Sequence, residues 1–450
     1  MCFRVNQSIK VNTDNSIYNR LSLLDQDNKL TKVISSLNNE DISKIKKTSK
    51  SPFETDINIL YKNEMEKLSN EPLDLKQLPD FNTTPLRVGI AVEQKQATFY
   101  IPNGTLFVEN EEGKKEIGTF SDKNFIVKNE NNCLSLYQED GKLIGNYKGK
   151  ITLDGNLSPI AINGKKYRGE LQVIVNPAKP STLHIVNDVM LEDYLKGVVP
   201  SESPSSWPLE SLKAQAVAAR TYAVGNWKRR ENLGFDLMPT VADQMYTGIE
   251  AEKPSSNQAV QETTGQILIY NGKPINALFF SCSGGYTDSA LEVWGTNEFP
   301  YIQPVKDFDQ NATRFKWEKT FTNKDIQDGL TKLGQDVGEI KEIKGIEFTP
   351  QKRVKKVEIT GTKGKVVVDS NKFRFAVGLN STLWNVESST ALLKKSPKNF
   401  TFKGGGWGHG LGMSQWGANQ MSQEGKKYEE ILKHYYTGVD LSNILNEPKK

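Results

Sequence analysis

The chain has 450 residues, with 58 Lys plus Arg against 54 Asp plus Glu and a formal net charge of +4. This length allows two or three domains and a core that needs no disulfide or metal to hold it. The three cysteines, Cys2, Cys133 and Cys282, lie far apart without CxxC or CxH spacing, which excludes a disulfide scaffold and a zinc ribbon. The nearly balanced charge gives no support for a nucleic-acid partner and only a mild bias toward an anionic polymer.

The beginning of the chain predicts neither export nor membrane insertion. Its first residues contain no apolar signal-peptide core, and no stretch of the chain approaches 18 apolar residues, so we expect no transmembrane segment. Residues 1–80 are rich in Asn and Ser and contain only scattered apolar residues. We interpret them as a weakly structured leader.

Residues 81–190 change character and predict a β-rich part. Short β-branched or alternating runs such as RVGIAV, ATFYI, GTLFVE and ELQVIV are separated by Gly, Asn and Asp turns, which is typical of strands. The segment has no cluster of His, Asp or Cys residues. We therefore expect an accessory role for it rather than catalysis.

Residues 191–445 mix helical and strand patterns. An Ala-rich helix is predicted from Pro208, as a first-turn residue, to about Arg230, because small and apolar residues recur there at helical spacing. Strand-like runs and the helix-like NKFRFAVGL follow, and no repeat of 20 to 50 residues is apparent. The sequence thus predicts a mixed α+β fold with a β-rich accessory part and an α/β catalytic core built around the Ala-rich helix.

The segment 404–417 holds seven glycines in fourteen residues, together with Trp407, His409, Gln415 and Trp416. It lacks the GxxxxGK[ST] lysine and the GxGxxG spacing, which disfavours nucleotide binding. One interpretation is a loop whose indoles stack on sugar rings while the glycine backbone approaches a polymer closely. The other is a packed turn with two core tryptophans.

Other catalytic chemistries have little support. Only three histidines occur, His184, His409 and His434. No GxSxG motif surrounds a serine, and no HExxH or paired spacing indicates a metal site, so we predict neither a serine hydrolase nor a bound metal or other cofactor. We interpret Cys282, which follows LFF, as a small buried residue rather than a nucleophile.

Glu202 is the acid of most interest. It follows VVPS and precedes SPSSWP, which predicts a loop at the start of the Ala-rich helix, with a proline on each side. A carboxyl held rigidly against apolar walls can have a raised pKa, which suits a general acid near neutral pH. Read alone, a loop glutamate is more often solvent-exposed and inert than catalytic.

Five ordered blocks of the sequence resemble the SpoIID/LytB family. They are YLKGVVPSE, LESLKAQAVAARTYAV, DQMYTG, FFSCSGGYTDSALEVWG and GGGWGHGLGMSQWGANQMSQEGKKYEEILKHYYTGV. The resemblance covers roughly residues 87–441. It implies sporulation lytic transglycosylases that act on peptidoglycan, or enhancers of cell-wall amidases.

The resemblance also implies roles for individual residues. Glu202 falls on the family's catalytic glutamate, which protonates the glycosidic oxygen between N-acetylmuramic acid and N-acetylglucosamine and then assists closure of a 1,6-anhydro ring. Arg220 either clamps a muramyl carboxylate or pairs internally. The expected substrate-binding residues are Gln215, Arg220, Tyr222, Gln244, Tyr246, Ser283, Trp407, His409 and Gln415. Some family members hold a structural zinc, but only Cys282 lies in the corresponding region here, so we expect none.

Two functions follow from the resemblance. One is a lytic transglycosylase that uses a single glutamate, because an internal hydroxyl attacks and no second carboxylate has to activate water. The alternative is a non-catalytic module that binds peptidoglycan and stimulates a cell-wall amidase. Either function implies glycan strands as partner and a place in the cell envelope or outside the cell.

Overall fold

The computed structural model describes residues 74–130, 133–156, 158–388 and 397–445. Apart from residues 74–80, the predicted leader lies outside these ranges, as does Cys2. The described residues combine helices and strands with strands in excess, which confirms the predicted β-rich α+β fold.

The first ten strands form one antiparallel sheet. Its path is β1-β10-β9-β6-β2-β3-β4-β5, with β7 paired to β2 and β8 paired to β7. The strands are β1 Leu86–Gln94, β2 Gln96–Asn110, β3 Gly113–Glu130, β4 Cys133–Gln138, β5 Leu143–Tyr147, β6 Lys150–Asp154, β7 Ile160–Ile162, β8 Lys165–Tyr167, β9 Glu170–Val175 and β10 Leu183–Val189.

Alternation of side chains explains how this sheet forms a core. In β2 the side chains of Ala97, Phe99 and Ile101 are buried while their neighbours face outward, as the two-residue period of a strand requires. Phe99 lies opposite Phe125 of β3, and their rings stack with centroids 5.6 Å apart. The runs ATFYI and GTLFVE, predicted as separate strands, are both parts of β2.

Eight helices lie in the described part of the chain, and none of them is long and apolar enough to cross a membrane. They are α1 Leu191–Glu202, α2 Leu209–Gly225, α3 Pro254–Glu262, α4 Ala290–Trp294, α5 Asn323–Lys332, α6 Ser370–Val377, α7 Gln415–Gln423 and α8 Tyr428–Tyr435. Short 3-10 turns span Leu75–Gln77, Glu231–Leu233 and Ile249–Ala251.

Helix α2 is the predicted Ala-rich helix, and it lies at the centre of the molecule's main core. All residues from 211 to 224 except Lys213 are buried, so the helix is enclosed over most of its surface, as expected of a core helix. It contacts α1, α3, α7 and α8. The helix ends at Gly225 rather than near Arg230, and Pro208 occupies the position before its first turn.

The remaining strands form four small sheets. The strand orders are β12-β11-β21, β14-β19-β18 and β15-β16-β17, all antiparallel, with a separate parallel pair β13-β20. The strands are β11 Gln266–Tyr270, β12 Lys273–Pro274, β13 Phe279–Phe280, β14 Lys316–Thr322, β15 Ile340–Phe348, β16 Val354–Gly361, β17 Gly364–Asp369, β18 Trp384–Ser388, β19 Asn399–Gly405, β20 Met413–Ser414 and β21 Asp440–Asn443.

The buried apolar residues divide into two clusters. The larger cluster joins the ten-stranded sheet to α1, α2, α7 and α8. The smaller cluster draws on β14 to β19 with α5 and α6, between Trp317 and Phe402. A hydrophobic core therefore runs across the predicted boundary at residue 190, while a second core lies within the predicted unit 191–445.

We expect Gly417→Ala in α7 to destabilise the protein, although alanine normally favours a helix over glycine. A Cβ at this position would lie within about 2 Å of the Asp307 carboxylate and the Tyr435 hydroxyl, which are bonded to each other at 2.6 Å. Overpacking of this kind costs about 1–3 kcal/mol, and denaturant unfolding measures it.

The matched control is Gln423→Ala, at an exposed position of the same helix. We expect this change to stay within about 0.5 kcal/mol. Equal stability of the two variants would show that close packing at Gly417 does not hold α7 in place.

Candidate active site

Glu202 is the last residue of α1, and not a loop residue as the two flanking prolines predicted. The helix continues through Pro200 because the proline falls in its final turn, where only one backbone hydrogen bond is lost. The hydroxyl of Ser201 donates to the Gly197 carbonyl at 2.7 Å, and the amide of Ser203 donates to the Val199 carbonyl at 2.9 Å. These bonds close the helix end and fix the backbone of Glu202.

Both carboxylate oxygens of Glu202 accept hydrogen bonds. The backbone amide of Met245 donates to Oε1 at 2.7 Å, and Nε2 of Gln415 donates to Oε2 at 3.3 Å. The same Gln415 nitrogen donates to Oε1 of Gln215 at 3.3 Å, and the Ser203 hydroxyl reaches that oxygen at 3.2 Å. The structure thus brings together three of the predicted residues, Glu202, Gln215 and Gln415, from α1, α2 and α7.

Three further predicted residues, Tyr222, Gln244 and Tyr246, are buried beneath the segment that carries the Met245 amide. Nε2 of Gln244 donates to the Ala219 carbonyl of α2 at 3.1 Å. The Tyr246 hydroxyl donates to Asn187 of β10 at 2.8 Å, and the Tyr222 hydroxyl donates to Asp243 at 2.9 Å. These side chains position the Met245 amide, and they do not present a surface to a glycan.

Asp243 is the carboxylate nearest in sequence to the Met245 contact, and its oxygens are already occupied. It is buried, and it accepts hydrogen bonds from Arg230 at 2.5 Å, Arg229 at 3.2 Å and the Met238 amide at 2.8 Å, as well as from Tyr222. A carboxylate bound in this way is a structural centre. It is not available as a second acid or base beside Glu202.

Arg220 pairs internally, which is one of the two alternatives that the sequence left open. Its side chain is 0% exposed, and Nε and Nη2 donate to the two oxygens of Glu192, each at 2.7 Å. The remaining donors reach the carbonyls of Gln266 and Val260, both at 3.2 Å. The guanidinium therefore ties α1 to α2, α3 and β11, and it does not face a cleft.

Two indoles lie beside each other near Glu202. Trp416 belongs to the glycine-rich segment noted in the sequence, but Trp207 was not selected from the sequence. Trp207 and Trp416 contact edge to face with centroids 5.3 Å apart, and both are half-buried. Trp416 directly follows Gln415, and Trp207 lies in the loop that follows Glu202. Their apolar faces are suited to sugar rings. The Met245 amide was also missed, because a backbone donor leaves no mark in the sequence.

Three predicted residues remain: Ser283 in the run SCSGG, and Trp407 and His409 in the glycine-rich segment. They differ in exposure. Ser283 is fully buried and its hydroxyl donates to Asp309 at 3.2 Å. His409 lies against Phe280, with ring centroids 5.3 Å apart, and its Nδ1 accepts from the backbone amide of residue 411. Trp407 is 47% exposed, with the Arg314 guanidinium 4.9 Å from its ring centroid. Of the three residues, Trp407 offers the largest free surface.

The glycine-rich segment packs as a turn, as one interpretation predicted, but Trp407 is exposed and Trp416 is half-buried, so neither is a core tryptophan. Gly410 has φ +85, and a Cβ there would lie 2.5 Å from the guanidinium carbon of the buried Arg353, so the backbone packs where no side chain fits. The segment is therefore a packed turn on its inner side. Its outer side carries the exposed Trp407.

Cys282 is buried beside this turn, as expected. Burial raises the pKa of its thiol to about 12, so the thiolate needed of a nucleophile or metal ligand is disfavoured. No group of three or more His, Cys, Asp or Glu side chains stands in position for a metal within residues 74–445 as far as the structure describes them.

We expect Arg220→Lys to lower the free energy of unfolding by about 3 kcal/mol, because lysine cannot form the bidentate pair of hydrogen bonds and leaves Glu192 poorly paired. Denaturant unfolding tests this. The control Lys196→Ala removes a half-exposed pair with Asp193 on α1 and should cost below about 1 kcal/mol. Unchanged stability of Arg220→Lys together with weaker glycan binding would instead favour the muramyl clamp.

The stability of the protein should depend on pH because of Asp309. The pKa of this carboxyl is raised to about 6, mainly by burial and to a smaller extent by the negative charge of the neighbouring Asp307. Since the folded-state pKa lies above the ordinary value of about 3.9, the protonated form favours folding. This contribution to stability is complete below pH ~4 and is lost as the pH rises through ~6.

The variant Asp309→Asn keeps an acceptor for the Gly284 amide, which lies 2.7 Å from the carboxylate, and it should lack this pH dependence. Between pH 4 and 7 the unfolding free energy of the native protein should therefore fall relative to that of the variant. Parallel curves over this interval would contradict the assignment.

Comparison with known proteins places the chain in a family. The SpoIID family, described as Stage II sporulation protein, matches residues 179–270, which contain Glu202, Gln215 and Met245. A domain of unknown function matches residues 301–412, which span the second hydrophobic core and much of the glycine-rich segment.

Individual relatives agree with this match. An uncharacterised protein of Brachyspira hyodysenteriae is 37% identical over 66% of this chain and 78% of its own length. Stage II sporulation protein D of Bacillus subtilis is 35% identical over 57% of this chain and 76% of its own length. The amidase enhancer of the same organism is 30% identical over 55% of this chain and 40% of its own length. The chain belongs to the SpoIID/LytB family.

Proposed function

We propose that this protein is a peptidoglycan lytic transglycosylase that cleaves the glycan bond between N-acetylmuramic acid and N-acetylglucosamine and forms a 1,6-anhydro end. The observation that carries the proposal is the environment of Glu202. Its carboxyl lies at the junction of α1, α2 and α7, partly open to solvent, with one oxygen fixed by the Met245 amide. Acid catalysis on a glycan requires such a fixed and accessible carboxyl.

The chemistry needs one residue in two protonation states. Oε2 of Glu202 carries the proton and gives it to the glycosidic oxygen while the bond from that oxygen to the muramyl C1 breaks. The resulting carboxylate then takes the proton of the muramyl C6 hydroxyl as that oxygen bonds to C1. No water enters, the proton on Glu202 is restored, and a second carboxylate is not required.

The neighbours of Glu202 suit this exchange of roles. The bond from the Met245 amide at 2.7 Å holds Oε1 in place. The contact from Gln415 to Oε2 is longer, at 3.3 Å, so a substrate displaces this contact more easily. A glycosidic oxygen that replaces Gln415 meets the proton on Oε2. The indoles of Trp207 and Trp416 supply apolar faces for the flanking sugar rings.

A second candidate is a non-catalytic enhancer of a cell-wall amidase. It is favoured by the similarity to a protein named amidase enhancer. Gln415 also favours it, because its contact with Oε2 must break before a substrate can reach that oxygen. Under this candidate the surface around Trp407 binds peptidoglycan or the amidase, and Glu202 is a structural acceptor. Both candidates imply work in the cell envelope or outside the cell.

We expect Glu202→Gln to reduce the formation of 1,6-anhydro-muramyl ends by at least about 100-fold, since general acid catalysis contributes roughly 10²–10⁴. The purified full chain is incubated with intact and with peptide-stripped sacculi, and the ends are counted by mass spectrometry. Glutamine retains an oxygen that can accept from the Met245 amide, so the fold and the sedimentation of the protein with sacculi should be unchanged.

Asp193→Asn is the matched control, because Asp193 lies on the same helix and pairs with Lys196 at the surface. It should form ends at the native rate. Ends formed equally by Glu202→Gln would show that the acid is misassigned. Absence of ends with the native protein, together with amidase stimulation by both native protein and Glu202→Gln, would favour the enhancer.

A further inference from the structure

An open cleft of about 830 Å³ lies along the small sheet β14-β19-β18. Its volume is in the range of sites that hold a compact organic ligand, roughly 300–1,000 Å³. The cleft is formed by residues of the second hydrophobic core and by the start of the glycine-rich segment. It lies within the region matched by the domain of unknown function, with Gly284 added from outside that region.

Flat apolar side chains line this cleft. Trp317 and Trp384 belong to its floor and are almost fully buried, whereas Phe348 at the end of β15 is 50% exposed. Gly404 and Gly405 add bare backbone to the wall. Aromatic faces beside backbone without side chains are suited to a ligand whose rings have an apolar face and polar edges, as sugar rings do.

The charged residues around the cleft are mostly positive. Lys316, Lys352 and Lys403 line it, and Glu318 is the acidic residue among the lining side chains. Lys403 also forms an ion pair with the exposed Glu387, with 2.8 Å between Nζ and the carboxylate. The remaining excess of positive charge is complementary to an anion, and it favours a ligand that carries carboxylates.

Lys352 adds an independent observation. Its backbone has φ +66, a left-handed conformation that glycine adopts freely and lysine adopts at a cost. The turn that imposes this conformation is held by bonds from the Thr349 amide to the Arg353 carbonyl and from the Lys352 amide to the Thr349 carbonyl. A charged side chain therefore stands in a strained position at the edge of the cleft, as occurs where a residue clamps a ligand.

The cleft is continuous with the exposed part of the glycine-rich segment. Gly405 lines it, and Trp407 follows two positions later, so their Cα atoms are at most about 7 Å apart. The same segment leads on to Gln415 at the Glu202 carboxyl. One extended polymer can thus contact the cleft and Trp407 together.

We propose that the cleft is an accessory binding site for a carboxylate-bearing amino-sugar strand, separate from the site that contains Glu202. The aromatic side chains receive the faces of the sugar rings, and the lysines receive the carboxylates. This inference rests on the proposed function for the identity of the strand. It assigns to the second core the task of holding the substrate away from the point of cleavage.

Binding without turnover tests the proposal. The full chain with Glu202→Gln is titrated calorimetrically with a peptide-free tetrasaccharide of alternating N-acetylglucosamine and N-acetylmuramic acid, and with neutral chitotetraose of the same length. The muramyl probe should bind at least fivefold more tightly. Adding Phe348→Ala or Lys352→Gly should weaken its binding at least fivefold, and Lys352→Gly should not lower the melting temperature, because glycine relieves the left-handed strain.

The matched control is Val367→Ala on β17, since Val367 is 48% exposed and does not line the cleft. It should change affinity less than twofold. The proposal would be overturned if all variants bound the muramyl probe with equal affinity, or if the two probes bound equally well. It would also be overturned if a stem peptide bound in the cleft while neither glycan did. The binding measurement does not depend on cleavage, because it uses the Glu202→Gln background. The formation of 1,6-anhydro ends is measured separately, on Phe348→Ala with Glu202 intact.

Discussion

Close packing around helix α2 is the constraint on which the rest of the structure depends. Its alanines at 214, 216, 218, 219 and 223 are all 0% exposed, and small side chains allow neighbouring helices to approach closely. The approach of α1 and α7 brings Glu202, Gln215 and Gln415 within hydrogen-bonding distance. A larger side chain at an alanine that faces α1 or α7 would separate the three elements that build the site.

The segment carrying Met245 completes the site from the other side. Its backbone amide reaches Glu202 because Tyr222, Gln244 and Tyr246 anchor the residues around it in the core. Side chains that resemble a substrate-binding motif in the sequence thus support a single backbone donor. The geometry of a functional site depends in this way on buried residues that support it from behind.

Much of the fold could be predicted from local pattern. The strands of the first sheet and the Ala-rich helix follow from periodicity. The resemblance assigned Glu202, Gln215 and Gln415 to one site, and the structure brings these three residues into contact. Local pattern failed where distant groups decide the outcome. The prolines near Glu202 predicted a loop, but the Ser201 hydroxyl and the Ser203 amide keep the last turn helical. Arg220 finds Glu192 at a separation of 28 residues, which no periodicity reveals.

The second core was hidden for a related reason. Its buried residues come from strands and helices that alternate along some 85 residues, so the sequence looked continuous with the rest of the predicted unit 191–445. Once folded, this unit has a hydrophobic cluster of its own and a cleft with an excess of lysines. The site at Glu202 and the cleft are linked through the glycine-rich segment, whose inner face is packed and whose outer face exposes Trp407.

Digestion of peptide-stripped glycan strands in oxygen-18 water tests the central claim most directly, because it asks which oxygen attacks the muramyl C1. An internal C6 hydroxyl assisted by Glu202 gives new ends of the 1,6-anhydro form that contain no oxygen-18. New reducing ends labelled with oxygen-18 would mean that water attacks and that a second catalytic group acts beside Glu202. Strands left uncut would mean that the protein binds peptidoglycan without cleaving it.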